Sequence, residues 1–333
     1  MEKPTETETT PEEFTLAGLS VPRSALDIAA FARGKFAREP GLFAVGVGGL
    51  LLALLCLGTV AVRGSFIPPE GKMLDAVTFN FGVGLFTLTI ALLLPLAGYS
   101  KPARRRWRWG YYVFAIYGPV LESIQSFRGL DPRFSEVGGP LDQVTGIVFG
   151  LAAGLHTVLF LMLGLRFFRT DVLHNRPTLR LGIRYGAVAV ALSFGVGIVM
   201  SVISGREIGD AGNLLPAHAL GVHGIQFVPL VALMLVWAGG AARATAWLHA
   251  AAIGWLVACT AALVQALLGR PPLEMSISPA LLAGGLFVWT GVAGKSLFVR
   301  RYAVQQRNPS RARAPGTAVT DEFDRKIGPD EMN

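Results

Sequence analysis

Six polar residues lie inside runs that are otherwise apolar enough to cross a bilayer. Glu122 and Gln125 close one run, His156 sits in the middle of the next, and His218, His223 and Gln226 fall in the first half of residues 213–237. Ionisable and polar side chains at membrane depth are costly, face the protein interior and mark ligand or proton sites by default. A carboxylate there can relay a proton, neutralise a cationic substrate or pair with a base. A histidine can shuttle protons or ligate a metal. Helix phase sorts the six. Residues three apart share a face, which couples Glu122 with Gln125 and His223 with Gln226. His218 and His223 are five apart and point about 140° away from each other, which argues against one metal held as by an HxxxH pair. No metal site is assigned.

His156 and His223 fall at similar depth on different runs. That is the arrangement in which membrane cytochromes hold haem b between two histidines, with quinone as a partner for such a redox protein. The alternative is packing: buried histidines that hydrogen-bond neighbouring helices contribute about 0.6 kcal/mol and at most about 2. No G-x-S-x-G elbow and no nucleotide-binding glycine pattern appears, so no catalytic residue is assigned.

The elements that must position these residues are helices in a membrane. Of 333 residues, 52% are hydrophobic and only 16% charged, against roughly 25% charged in soluble domains. Mean hydropathy is +0.50. Runs of about 20 apolar residues each suffice to span a bilayer. They predict an all-α polytopic bundle of about eight spans near 41–62, 78–99, 109–127, 143–167, 182–203, 214–238, 246–268 and 278–299. The net charge of +8 lies mostly in short connections, a positive-inside distribution that excludes a nucleic-acid stripe. Lys101 and Arg104–Arg106, then Arg166, Arg169, Arg176 and Arg180, fall on one side, together with Arg33, Lys35, Arg38 and Arg300, Arg301 at the flanks. That bias puts both termini in the cytoplasm and the polar residues mostly in the outer half.

Residues 1–40 read as a disordered segment with a basic amphipathic stretch from Ser24, 41–299 as the membrane domain and 300–333 as a disordered cytoplasmic tail. Cys56 and Cys259 fall in mid-span, so no structural disulfide is expected. Pro119 and Pro229 each free a carbonyl one turn back, loosening the helices beside Glu122 and Gln226. Arg128 lies six residues beyond Glu122, so a helix partner such as His218 or His223 is the expected mate for this carboxylate. The loop Arg128–Asp142 reads as a solvated turn, with a lid over the polar residues as the alternative.

The segments Glu122–Phe134, Asp142–Gln143 and Ala217–Leu230 resemble an uncharacterised family of bacterial multi-pass inner-membrane proteins. Its motifs run E-x-x-x-Q-x-x-RG and H-x-x-G-x-H-x-x-Q-x-x-P. Glu122, Arg128, Gly129, Phe134, His218, Gly221, His223, Gln226 and Pro229 match, and Gln125 stands one place off. Pro132 and Arg133 replace the family's Ser-His, and Asp75–Asn80 replaces a lysine-rich opening of its second span. The resemblance implies a site on these residues and brings no activity.

Three functional readings follow. The leading one is an outward-facing polar pocket of Glu122, Gln125, His156, His218, His223 and Gln226 that binds a small molecule or protons, as a transporter or sensor would. The others are a haem b redox protein on His156 and His223, and a non-catalytic assembly or scaffold protein. The lipid bilayer is the partner common to all three.

Overall fold

The computed structural model describes residues 36–238 and 241–307, Gly34, and the N-terminal dipeptides β1 (Thr15–Leu16) and β2 (Leu19–Ser20), which pair antiparallel. Most of the expected N-terminal disorder, the amphipathic stretch over 24–33 and the tail beyond 307 lie outside the described residues.

Eight long helices carry the fold: α1 (Pro40–Arg63), α2 (Met73–Leu93), α3 (Lys101–Phe127), α4 (Pro140–Arg166), α5 (Pro177–Val202), α6 (Leu215–Trp237), α7 (Ala241–Leu267) and α8 (Ile277–Arg307). Proline opens α1, α4 and α5 at the first helical position, where its missing N–H costs nothing. Seven helices, α3 excepted, are long and apolar enough to cross a membrane. The chain is therefore an all-α integral membrane protein.

Helix ends depart from the apolar limits. α3 starts eight residues before the expected 109, and α8 runs to Arg307, past the expected 299. The arginines that set the expected boundary at 109 are helical, and two of them, Arg104 and Arg108, are paired. Ser100 caps α3 by accepting from the Ala103 amide. Arg104 Nε and Arg108 Nη1 lie 3.2 and 2.6 Å from the two oxygens of Glu39, a carboxylate with no exposed surface at the start of α1. Elsewhere on this end, Arg166 donates to the Ala97 and Gly98 carbonyls and Arg184 to those of Phe167 and Phe168. The last two carbonyls close α4, where cations suit the negative end of the helix dipole.

The opposite end is built from two hairpins and two loops. Strands β3 (Phe66–Ile67) and β4 (Gly71–Lys72) pair antiparallel between α1 and α2, as do β5 (Glu207–Ile208) and β6 (Gly212–Asn213) between α5 and α6. Asp75 joins the two halves at this end by taking both its bonds from Arg206, at 3.0 and 3.1 Å.

Inside the bundle the halves pack differently. α1 to α4 share an aromatic core with α5 around Phe86, Trp107, Tyr111, Phe160 and Phe167. α5 to α8 close through small residues, among them Ala189, Ala232, Ala251 and Ala252. At Gly221 a Cβ would stand 2.6 Å from Ser193 Cβ, so α5 and α6 approach too closely for any larger residue. Cys56 and Cys259 are buried and free.

Candidate functional site at the hairpin end

Glu122 sits five residues from the end of α3 with no exposed surface. Its mate is neither His218 nor His223. Arg133, from the loop between α3 and α4, places Nη2 at 2.8 and 2.9 Å from the two carboxylate oxygens. The same guanidinium lies 5.5 Å from the ring centres of Phe79 on α2 and Phe149 on α4, within range of a cation–π attraction. Burial works against the Arg133 charge, but Glu122, Asp131 and Asp75 outweigh it and hold the side chain charged.

The loop that delivers Arg133 is anchored, while Phe134, Glu136, Val137 and Gly139 on it stay exposed as a solvated turn would have them. Glu70, in the turn between β3 and β4, accepts from Ser135 Oγ and from the Asp131, Glu136 and Val137 amides. The Ser135 hydroxyl above all holds its carboxyl below the usual carboxylate range; burial opposes it, and the amides add to the lowering. Asp131 in turn accepts from the Arg133 and Phe134 amides. Gly129 has φ +77°, and a Cβ there would stand 2.0 Å from the Pro68 carbonyl. Only glycine fits that conformation and that approach, which gives the RG pair its physical reason. Where Arg133 crosses α4, its carbonyl would lie 2.6 Å from a Cβ on Gly146.

Gln125 is buried one turn from Glu122 but serves a different network. It donates to Asp142 at 2.9 Å and accepts from Arg128 at 2.6 Å, and Arg128 also pairs with Asp142. Asp142 further takes the Gly139 amide at 3.0 Å, which fixes the start of α4.

The histidines do not join Glu122. His156 is boxed by the rings of Phe86, Tyr111, Phe114 and Phe194, with centres 5.5, 5.1, 4.5 and 5.8 Å away. Its Nδ1 has no hydrogen-bond partner among the described residues. His218 bonds across to α5, with Nδ1 at 3.1 Å from Ser193 Oγ and 2.9 Å from the Ser193 carbonyl. His223 keeps to its own helix. The Gln226 amide meets its Nδ1 at 3.3 Å or, turned over, donates to the Val222 and His223 carbonyls at 3.2 and 3.1 Å. The six sequence candidates thus fall into separate groups, and only Glu122 holds an ion pair.

The surroundings of His156 and His223 do not fit haem. The His156 ring is enclosed on α2, α3 and α5 by aromatic side chains that a porphyrin would have to displace. The His223 ring instead packs 6.0 Å from Phe227, beside Trp255 and Trp289. Among the described residues, no three of His, Cys, Asp and Glu cluster as a metal site requires. A cavity of about 180 Å³ between α6, α7 and α8 is lined mainly by apolar groups, including Ala261, Leu273 and Leu282. Of its two side-chain amides, Asn213 accepts from the Leu215 amide, and Gln265 is committed to the Pro271 and Glu274 carbonyls and to Ser276.

Sequence reasoning missed Arg133, Phe79, Phe149 and Glu70. Arg133 and Glu70 lie in connections and look solvated, and the two phenylalanines look like ordinary span residues. No family model, curated protein or solved structure matches the chain.

Proposed function

We propose that the protein is a multi-pass inner-membrane protein of a bacterium that binds a small ligand at Glu122 from the extracytoplasmic side, as a transporter or sensor would. In this reading α3 is an eighth span, both termini are cytoplasmic, and the arginine-rich end faces the cytoplasm, following the positive-inside bias. α3 falls short as an apolar span at both ends: its first turns carry Lys101 and Arg104–Arg106, and its last turns carry Glu122, Ser123, Gln125 and Ser126. It packs between α2 and α4, with Trp107 donating to the Leu159 carbonyl at 2.8 Å.

The observation that carries the reading is the source of the Glu122 mate. A fully buried carboxylate that served only packing would draw its partner from the helices around it. This one draws it from a loop at the open end of the bundle. A proton relay is the weaker alternative. Below Glu122 the path meets Phe79, Phe114 and Phe149, ring against ring at 5.7 to 6.2 Å, and the hydroxyl of Tyr117 beside them is spent on the Thr145 carbonyl at 2.8 Å.

The test is a screen of small polar compounds for their effect on thermal unfolding of the purified protein. At least one compound is expected to stabilise the wild type but not E122Q. The double variant E122Q/R133Q, which strands no charge, serves if E122Q alone folds poorly. Equal response to every compound in wild type and folded variants would overturn the reading.

A further inference from the structure

We infer that Glu122, Phe79 and Phe149 form a receptor for an organic cation of the guanidinium or alkylammonium class, and that Arg133 is a tethered occupant which must withdraw before such a cation enters. The inference rests on the proposed ligand site at Glu122 and adds its chemistry and its gate.

The pairing of one carboxylate with two aromatic faces is selective in charge and shape. A carboxylate alone in apolar surroundings rejects anions, and a neutral ligand that donates to it leaves its charge uncompensated. The ring faces add attraction for a cation, and more of it once the cation is desolvated. A planar guanidinium or a compact ammonium meets both demands. The present occupant meets them incompletely: among the described residues, Arg133 bonds Glu122 through Nη2 alone, and its Nε and Nη1 make no hydrogen bond. A free guanidinium, not tied to the loop backbone, can turn to offer two nitrogens to the two oxygens, the stronger bidentate form.

The gate is local to one segment. Arg133 keeps 29% of its side chain accessible, so the site lies just beneath the surface. Its loop is held against the bundle by Glu70, whose carboxylate alone fastens Asp131, Ser135, Glu136 and Val137. Gly138 follows immediately and donates its amide to the same Ser135 hydroxyl at 2.9 Å, so freeing Ser135 from Glu70 also loosens that turn, while the Gly139 amide on Asp142 keeps the start of α4 fixed. A tethered competitor lowers the apparent affinity of a free ligand by the fraction of time the site is open. Loosening Glu70 therefore strengthens cation binding without touching the receptor.

The experiment uses the full chain in lipid nanodiscs. Calorimetry compares methylguanidinium with methylurea, its uncharged isostere, at fixed ionic strength. Methylguanidinium is expected to bind R133A, and to bind E70A about ten-fold more tightly than wild type. Methylurea is expected to bind neither. Adding E122Q to either variant is expected to abolish binding. In the R133A background, F149L is expected to weaken methylguanidinium roughly three-fold to ten-fold, a readout that stands even if E122Q does not fold. Three results overturn the inference. R133A fails to distinguish the two probes; or F149L leaves affinity unchanged; or R133A binds while E70A binds no better than wild type, which marks a hole made by the substitution. If cations fail but a neutral or anionic compound separates wild type from E122Q in the thermal screen, the site at Glu122 stands and only its cation class falls.

Discussion

Among the described residues two carboxylates are wholly buried and paired with arginine, one at each end of the bundle, and they are built in opposite ways. Glu39 meets Arg104 and Arg108, which stand one turn apart on α3 and are fixed by that helix. Glu122 meets one arginine carried on a loop that is fastened elsewhere, by Glu70. Buried ion pairs seldom add net stability, because desolvating the charges offsets their attraction, but breaking one is expensive. Who carries the partner then decides what the pair can do. A partner on a helix ties two spans together permanently. A partner on a loop can leave, and the charge it leaves behind becomes a binding site.

The largest test of this contrast is at the helix-borne pair. R104A/R108A leaves Glu39 buried without a cation and is expected to cost about 3–5 kcal/mol, read as a large fall in thermal unfolding temperature in detergent. No added cation should restore it, because the gap lies between helices. R133A is expected to cost less, about 1–3 kcal/mol, since water reaches Glu122 once the loop side chain is gone. Equal losses in the two variants would erase the distinction between them.

The latch gives a pH-dependent test. The Glu70 carboxyl titrates below its ordinary range, so its hold on the loop is complete at neutral pH and is lost only as pH falls through that lowered value. A spin label on E136C is expected to gain mobility on acidification, and in E70A to be mobile at every pH. A label equally immobile in E70A would show that the loop is held by something other than Glu70. The smallest effect is expected in the other half of the bundle. H218A removes a neutral bond to Ser193 and should cost about 0.6–2 kcal/mol, with no change in cation response. A change in that response would place His218 in the site after all.

The apolar runs made seven spans readable from composition, because a bilayer demands a fixed length of hydrocarbon. Their ends were not readable. Arg104 and Arg108 look like a boundary until Glu39 is seen to bury their charge, and only tertiary contact reveals that. The site was half legible. Glu122 announces itself as a carboxylate at membrane depth, and Gly129 and Gly221 carry steric reasons that the structure supplies. The partner was hidden because helix phase and depth rank only residues within spans, whereas Arg133 folds back from outside them. His156, His218 and His223 were grouped with Glu122 by depth alone. Their azimuth turns each toward a different neighbour: an aromatic box, Ser193 on α5, and Gln226 on α6.

The phenylalanine layer beneath Glu122 has an electrical consequence. Phe79, Phe114 and Phe149 form an apolar floor with ring centres 5.7 to 6.2 Å apart, and membrane voltage drops mainly across such low-polarisability material. Carrying one elementary charge across the whole field is worth about 2.3 kcal/mol per 100 mV. In the proposed orientation a cation settling above that floor crosses only a small part of the field. Its occupancy should follow the concentration outside the cell and stay nearly indifferent to the membrane potential.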